Sequence, residues 1–375
     1  MGCKDGHNDF PIWIRAFYQN HIYQQNFSDG QNLFGQVDFR RLREGKIRGQ
    51  FWSVYVEWYV LREPTLYPSS ALYINAQCLS PKEAGNYSTE VYHEIVHDTI
   101  QQIDLVYRLI KEFPDHLQHA FSAGDVRSDF ASSGRISSLL GIEGLHQIGN
   151  SASILRMYHA LGVRYATLSH TCHNAFADSE EPHRPLHNGL SQTGVAMVKE
   201  MNRLGMIVDL SHTSFATQRS ALAVSEAPVI FSHSNAYALC NHTRNVPDDV
   251  LLALQENGGV IMVTFYPAFT AQNRTEASLD NVADHIQYIG ELIGYDHVGI
   301  GSDFDGMDHG PKGLEDVSKY PDLVAELLRR GIPRKSVEGI TGKNILRVFH
   351  EVEGIARRKT GLKPLEDDVK PFFGA

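Results

Sequence analysis

The sequence lacks long apolar runs, has few cysteines and carries an excess of acidic residues. No apolar stretch in its 375 residues approaches the roughly 18 that span a bilayer, so we expect no transmembrane segment. The formal net charge of -10 disfavours nucleic acids and anionic membranes as partners, because binding to either needs a basic face. The four cysteines, at positions 3, 78, 172 and 240, match no metal-knuckle spacing, so free or buried thiols are expected rather than a disulfide framework.

Both termini lack targeting features. The first residues, MGCKDGHNDF, contain no apolar segment of the kind found in signal peptides. The last residues, VKPFFGA, contain no hydrophobic tail that would signal a lipid anchor. The compartment is therefore left open by the chain as given.

Short apolar runs are the first positive feature. A hydrophobic share of 42% and a charged share of 21% indicate a globular protein. No repeat, low-complexity tract or long linker divides it, so we predict a single domain over residues 1–375. Continuous apolar character is typical of strands covered on both faces. The predicted strands are 51–56, 138–142, 165–169, 206–210, 229–232, 260–266 and 297–302.

Segments of helical period fill the gaps between these runs. They are 91–110, 192–204, 215–225, 248–256, 279–293, 319–330 and 336–353. This alternation predicts an α/β fold, specifically a (β/α)8 TIM-type barrel. The first strand is the weak member, because only residues 1–4 precede the DGHND turn and Lys4 is a poor occupant of a barrel interior.

Histidine and carboxylate side chains follow the predicted strands. His7 and Asp9 are two residues apart, so both can face one cation. Glu143 follows an apolar run, and His212 and His233 each end a strand in the pair Ser-His. Alone, each feature reads as an ordinary polar turn or strand end. At the mouth of one barrel, the five side chains predict two zinc-like ions that share a bridging carboxylate and bind a hydroxide between them.

Three further residues suit the hydrolysis that such a centre supports. Asp303 also ends a strand and can take a proton from the hydroxide and pass it to a leaving amine. His170, at the end of TLSH, can stabilise a tetrahedral oxyanion. Arg244 suits bidentate capture of a substrate carboxylate, although a surface salt bridge is the alternative interpretation for this residue alone.

One histidine pair imitates a different kind of zinc site. Residues 93–97 spell the H-E-x-x-H pattern of zincins. On a helical wheel, His93 and His97 continue into a polar stripe that reaches Arg108, opposite the apolar face. We therefore expect this pair at the solvent-exposed surface.

The chain resembles the membrane (renal-type) dipeptidases, binuclear zinc enzymes of the metal-dependent hydrolase class. The matching segments cover most of residues 5–355 in the family's order. They are DGHND, QFWSVYV, GIEGLH, GVRYATLSHTCHNAFAD, LGMIVDLSHTS, APVIFSHSNAYALCNHTRNVPDDVL, VGIGSDFDG and GLEDVSKYPDLVAELLRRG. The resemblance implies zinc-dependent hydrolysis of dipeptides, tolerance for D-residues at the C-terminal position, and cysteinyl-glycine-type conjugates as a substrate class.

The resemblance also implies a role for each matching position. His7 and Asp9 would hold one Zn²⁺, and His212 and His233 would hold a second. Glu143 would bridge the two ions. The residues implied to contact the substrate or to act in catalysis beside Glu143 are His170, Arg244, Tyr266 and Asp303, with Asp303 as the catalytic carboxylate.

Residues 58–80 depart from the family pattern. After QFWSVYVE the family continues almost at once with Cys-Pro, whereas this chain first has WYVLREPTLYPSSALYINAQCLS. We interpret this insertion as a translated intron. A donor-like GTACGT can begin within the Trp58 codon and an acceptor AG can fall in the Ser80 codon, so that removal would give SVYVECPKEAG. If the insertion is retained, Cys78 is a candidate disulfide partner for Cys172.

Two other functions stay open. An amidohydrolase acting on a non-peptide amide is disfavoured, because Asp9 replaces the second histidine of an H-x-H pair and Glu143 replaces a carbamylated lysine. A barrel relative that binds without turnover predicts missing ligands, yet every candidate position is occupied. Family members are often dimeric, but the sequence shows no dimer face. The resemblance suggests a secretory or membrane-associated protein only if the N-terminus is truncated.

Overall fold

Parallel β-strands form the centre of the molecule. The computed structural model describes residues 2–28, 33–57, 90–132, 134–181 and 184–368. The strands in these ranges are β1 Cys3–Asn8, β2 Ile47–Ser53, β3 Leu117–His119, β4 Ile136–Ile142, β5 Val163–Thr167, β6 Ile207–Asp209, β7 Ile230–Phe231, β8 Val260–Val263 and β9 Val298–Ile300. They follow the order β1-β2-β4-β5-β6-β7-β8-β9 with parallel pairing throughout, and β3 pairs with the first half of β4.

The strands other than β3 form a nearly closed barrel. Where β9 meets β1, the Asp303 N–H donates a hydrogen bond to the His7 carbonyl (3.2 Å). The Asp9 N–H donates to the Phe304 carbonyl (2.9 Å), next to a parallel bridge between Asn8 and Phe304. These contacts join the first strand to the last and confirm the predicted (β/α)8 TIM-type fold.

Helices connect the strands and cover the outside of the barrel. They are α1 Phe10–Tyr18, α2 Phe39–Glu44, α3 Glu90–Glu112, α4 Ala123–Ser132, α5 Ala152–Ala160, α6 Gln192–Leu204, α7 Phe215–Val224, α8 Asp248–Asn257, α9 Pro267–Thr270, α10 Leu279–Ile293, α11 Tyr320–Arg329, α12 Arg334–Glu338 and α13 Asn344–Arg358. Among the residues that the structure describes, none of the helices combines the length and apolar character that crossing a membrane requires.

Alternate residues of the strands belong to two separate apolar clusters. One contains Phe51 and Leu139, which face the barrel interior, and extends to Phe349 of α13. The other contains the adjacent strand positions Trp52 and Leu140, packed with apolar residues of the helices. Burial on both faces explains why these strands are continuously apolar in the sequence.

The predicted strands all occur, with bounds displaced by a few residues. The largest displacement concerns 51–56, which is β2 at Ile47–Ser53. The apolar runs of the sequence did not predict β3, because Leu117–His119 is a three-residue strand with a single aliphatic side chain. The segments of helical period also missed α1, α2, α4, α5 and α9. The predicted helices after residue 190 occur near their expected bounds, except that 336–353 is divided into α12 and α13.

The first strand differs from the expectation. DGHND is not a turn that follows a four-residue strand, because β1 at Cys3–Asn8 contains most of this segment. Lys4 fits there since its neighbours Gly49 and Gly342 have no side chains, and a Cβ at either position would overlap the Lys4 side chain. The Lys4 ammonium donates a hydrogen bond to the Gly2 carbonyl (3.1 Å).

The insertion 58–80 lies outside the described residues, and so does Cys78 with its suggested pairing to Cys172. The single domain over residues 1–375 stays a prediction. His93 and His97 are exposed on α3, as the helical wheel predicts, and belong to none of the candidate metal-ligand groups in the described part of the chain.

Candidate metal centre

The carboxyl ends of the barrel strands bring the predicted ligands together. His7 lies in β1 and Glu143 directly follows β4. His212 follows β6, His233 follows β7 and Asp303 follows β9, each within the next three residues. Since parallel strands direct their carboxyl ends to the same side of a barrel, side chains far apart in the sequence meet on one rim.

A single oxygen of Glu143 lies at the centre of this group. Glu143 Oε1 is 3.0 Å from His212 Nε2, 3.2 Å from His233 Nε2 and 3.5 Å from His7 Nε2. The other oxygen, Oε2, accepts a hydrogen bond from Ser53 Oγ at 3.2 Å. Ser53 thereby holds the carboxylate with Oε1 facing the three imidazoles.

Two groups of donor atoms share Glu143. One consists of His7, Asp9 and Glu143, and the other of Glu143, His212 and His233. Within each group the ligand atoms lie within 4.8 Å of one another. Histidine nitrogens and carboxylate oxygens are common ligands of Zn²⁺, and a two-metal site needs a ligand that both groups have in common.

Asp303 stands beside the first donor group. Its Oδ1 is 3.9 Å from His7 Nε2, and His7, His233 and Asp303 form a third combination of donors within 4.8 Å. The backbone of Asp303 has a φ of 68° and that of His212 a φ of 62°. This left-handed region costs a non-glycine residue about 1–2 kcal/mol, and such strain tends to persist where the surroundings hold a functional side chain in place.

The buried charges of the cluster shift its pKa values. Burial raises the pKa of Glu143 well above its ordinary value, with His7 opposing the shift and Asp9 adding to it. Burial, and next the charge of Asp9, raise the pKa of Asp303 to about 8. Burial would lower the pKa of His7, but Glu143 and Asp9 outweigh it and raise this pKa to about 10. A cation among these carboxylates would relieve the same unfavourable charge, so the cluster suits a metal ion electrostatically.

The two histidines of the second donor group behave differently from His7. Burial, followed by the positive charge of Arg244, lowers the pKa of His212 well below its ordinary value. Burial, followed by His7 and Arg244, does the same for His233. Both imidazoles are therefore neutral, which is the form that binds a metal.

A cavity of about 240 Å³ opens over the donor groups. Asp9, Glu143 and His212 face it, whereas His7 and His233 are buried behind these residues, with 0% and 1% of their surfaces exposed. The predicted substrate-contacting residues all line its walls: His170, Arg244, Tyr266 and Asp303.

Sequence reasoning missed part of the cavity wall. Glu180, Glu181 and Phe269 also line it. Glu180 Oε1 is 3.8 Å from Arg244 Nε, and the Arg244 guanidinium lies 5.1 Å from the centroid of the Phe269 ring. These residues lie outside the strands, where no periodic pattern marks the side chains that turn inward. The acidic pair in the loop after His170 was the only available signal.

A nearly closed parallel barrel with buried histidine and carboxylate groups at its carboxyl end defines a metal-dependent hydrolase of the barrel class. Comparison with known proteins narrows this class. Residues 2–362 match the membrane dipeptidase family, peptidase family M19. The chain belongs to this family and is a metallo-dipeptidase, an exopeptidase that hydrolyses dipeptides.

Several relatives carry the same activity in their names. Dipeptidase aclJ of Aspergillus oryzae is 61% identical over 371 residues, which cover 98% of this chain and 82% of that protein. Dipeptidase tcpJ of Claviceps purpurea is 47% identical and covers 98% of this chain and 81% of that protein. Among solved structures, dipeptidase AC of family M19 superposes with a TM-score of 0.79 and 25% identity over 94% of this chain and 99% of that chain. The predicted family is confirmed, and a barrel that binds without turnover is not favoured.

Proposed function

We propose that the dipeptidase activity of this chain requires two Zn²⁺ ions bridged by Glu143. His7 and Asp9 would hold one ion, and His212 and His233 would hold the other. The observation that carries this proposal is the position of Glu143 Oε1, which lies 3.0 to 3.5 Å from three imidazole nitrogens.

Unpaired donor atoms support a metal at this place. His7 Nε2 and Asp9 Oδ1 are buried and lack a hydrogen-bond partner within the described ranges. The opposite ring nitrogens are engaged, since His7 Nδ1 is 2.8 Å from Tyr165 OH and His233 Nδ1 is 2.7 Å from Ser232 Oγ. Each ring therefore turns its Nε2 toward the donor groups. Buried polar atoms seldom lack partners, and a cation would supply one.

The chain's own residues account for the proton transfers of hydrolysis. Two bound Zn²⁺ ions would polarise the scissile carbonyl and activate a water molecule near neutral pH. The Asp303 carboxylate accepts a proton from the attacking water and delivers it to the amine nitrogen as the C–N bond breaks. His170, whose Nε2 is 3.8 Å from Glu143 Oε1, donates a hydrogen bond to the oxyanion that develops on the carbonyl oxygen.

Arg244 recognises the C-terminal carboxylate of the substrate. Its guanidinium lines the cavity, and its Nη2 lies 3.1 Å from His212 Nε2, next to the second donor group. In a dipeptide the carboxylate is one residue away from the scissile bond. Because the Arg244 guanidinium lies so close to the second donor group, it favours dipeptides over longer chains. Tyr266 forms part of the same cavity wall.

The substrate class extends beyond ordinary L-L dipeptides in our proposal. We expect the chain to accept D-residues at the C-terminal position and cysteinyl-glycine-type conjugates. The support for both is its membership of the membrane dipeptidase family.

Metal analysis combined with a substrate panel tests the proposed function. Purified protein should contain two Zn²⁺ ions per chain and should hydrolyse L-L, L-D and cysteinyl-glycine dipeptides. A chelator should abolish hydrolysis, and added Zn²⁺ should restore it. Zinc-free protein that hydrolyses dipeptides in the presence of chelator would contradict the zinc proposal.

Asp303→Asn separates catalysis from metal binding. The variant should keep both ions but lose about 100-fold or more in kcat, because its amide cannot accept the proton. Asp305→Asn is the matched control, since Asp305 is also buried but its Oδ1 accepts the Gln36 N–H at 2.6 Å. Equal losses in the two variants would indicate a structural effect and would overturn the role of Asp303.

A further inference from the structure

The proposed ligand His233 is connected to a buried carboxylate through one hydroxyl group. His233 Nδ1 lies 2.7 Å from Ser232 Oγ, and Ser232 Oγ lies 2.6 Å from Asp209 Oδ2. All three residues are buried, with 0–1% of their surfaces exposed. We call this chain of hydrogen bonds from Asp209 through Ser232 to His233 the relay. Asp209 ends β6 and Ser232 directly follows β7, so the relay crosses between two adjacent strands of the barrel.

Asp209 receives four hydrogen bonds. Its Oδ1 accepts the N–H groups of Ser211 (3.1 Å) and Ser232 (2.8 Å). Its Oδ2 accepts the hydroxyls of Thr167 (2.5 Å) and Ser232 (2.6 Å). The two backbone N–H groups can only donate, and an ionised carboxylate can only accept. The hydroxyls of Thr167 and Ser232 therefore both donate to Asp209.

The direction of the relay follows from this arrangement. Ser232 has one hydroxyl proton, which goes to Asp209, so Ser232 Oγ meets His233 Nδ1 as an acceptor. The imidazole proton therefore sits on Nδ1, and Nε2 keeps its lone pair. That nitrogen faces Glu143 Oε1 at 3.2 Å and His212 Nε2 at 2.9 Å, where the second Zn²⁺ is proposed.

We propose that Asp209 is a positioning residue for the second metal ion. It acts through Ser232, which holds His233 in the Nδ1–H tautomer and in the orientation that a metal ligand needs. Asp209 itself does not line the cavity, so it cannot contact the substrate directly. The inference rests on the proposed function and deepens it. Metal-bound histidines usually donate their second N–H to a carboxylate or carbonyl group, and here a serine hydroxyl is inserted between the two.

A second aspartate shows which part of the arrangement is particular to His233. Asp5 accepts the N–H (2.9 Å) and the hydroxyl (2.6 Å) of Ser302, and Ser302 precedes Asp303 as Ser232 precedes His233. The residue after Ser302 is a carboxylate rather than an imidazole. Asp5 therefore fixes a strand end, whereas Asp209 fixes a strand end and a tautomer.

Asp209→Asn is the sharpest test, because it keeps the shape and reverses the relay. An amide NH₂ facing Ser232 donates to its oxygen, which sends the hydroxyl proton toward His233 Nδ1 and the imidazole proton to Nε2. The affinity for the second Zn²⁺ should fall by about 10- to 100-fold in competition with a chromophoric chelator, with the first ion unaffected. In metal-free protein, the ¹⁵N chemical shifts of the His233 ring should change from the Nδ1–H to the Nε2–H pattern.

Matched variants separate the relay from general damage. Ser232→Ala should lower the affinity for the second Zn²⁺ in the same way, and Ser232→Thr, which keeps the hydroxyl, should restore it. Thr167→Val removes another donor to Asp209 but leaves the relay intact, so its Zn²⁺ affinity should stay close to that of the wild type.

The outcomes distinguish the relay from the proposed function. If the wild type binds two ions and Asp209→Asn binds both as tightly with the tautomer unchanged, the relay is wrong and the zinc proposal stands. If the wild type binds no Zn²⁺, the proposed function fails, and the ¹⁵N measurement on metal-free protein still decides the relay.

Discussion

At the scale of the residue, the carboxylate of Glu143 has both of its oxygens engaged. Oε2 accepts the Ser53 hydroxyl, and Oε1 faces the imidazoles of both donor groups. A change at this residue therefore acts on both proposed metal ions at once. A change at Arg244, which faces the substrate side of the cavity, should leave the metals in place.

Arg244→Lys should weaken substrate binding more than it slows catalysis. Lysine keeps the positive charge but lacks the planar pair of N–H donors, so one charge-assisted hydrogen bond to the substrate carboxylate is lost. Such a bond contributes about 1.5–3 kcal/mol, which corresponds to a rise in KM of roughly 10- to 100-fold. Steady-state kinetics with one L-L dipeptide measure this change.

Arg219→Lys is the control for this prediction. Arg219 pairs with Asp249 at the surface (2.7 Å), and half of its side chain is exposed. Its KM should therefore match that of the wild type. A loss of kcat in Arg244→Lys at unchanged KM would instead place Arg244 in transition-state stabilisation.

Glu143, His212 and His233 could be found from the sequence because each stands next to a strand end that an apolar run marks. His7 and Asp9 could be found because they are two residues apart and can face one cation. The relay from Asp209 to His233 could not be found in this way. Which hydroxyl meets which carboxylate depends on the register between β6 and β7, and strands that are apolar on both faces have no alternation that would specify this register.

At the scale of the element, strands that contain a continuous apolar run were predictable, whereas the bounds of β1 were not. β4 to β9 contain continuous apolar runs because helices cover their outer faces. β1 was expected to end before DGHND, because Asp5 and His7 occupy positions where a purely structural strand would have apolar residues. Local rules fail at this strand because its side chains were selected for the site.

His285 shows how one helix is tied to the barrel by a group that titrates. Its Nδ1 accepts the Ala236 N–H (3.2 Å), and its Nε2–H donates to the Thr270 carbonyl (3.1 Å), which links α10 to the loop after β7 and to the last residue of α9. Burial lowers the pKa of His285 from 6.5 to about 4, with the Thr270 bond opposing this shift. Between pH 4 and pH 6.5, His285 therefore binds a proton more readily in the unfolded chain than in the folded protein. The contribution of neutral His285 to the free energy of unfolding is therefore fully present above pH 6.5 and is lost as the pH falls toward 4.

His285→Gln should remove this part of the pH dependence. The glutamine amide offers one acceptor and one donor but does not titrate. The free energy of unfolding of the wild type should fall by about 3 kcal/mol more than that of the variant between pH 7 and pH 4. Denaturant unfolding at both pH values measures the difference, and identical pH dependences would refute the assignment to His285.

At the scale of the whole molecule, the donor groups connect strands from all around the barrel. Without cations, the carboxylates of Asp9, Glu143 and Asp303 share a buried space. A ligand that binds only the folded state stabilises it by mass action, by about 2.7 kcal/mol at a free concentration 100 times its Kd. At that concentration, Zn²⁺ should therefore raise the free energy of unfolding of chelator-treated protein by about 2.7 kcal/mol for each ion bound. In Glu143→Gln the gain should be much smaller, and an equal gain would contradict the bridging role.

The hydrogen bond between Asp5 and Ser302 spans 297 positions of the chain. During synthesis, Asp5 leaves the ribosome long before Ser302 is made, and the barrel lacks its last strand until β9 emerges. His7 and Asp303 then have no means of facing each other. We therefore expect a chain that ends before β9 to lack the Asp303 side of the site and to hydrolyse no dipeptide.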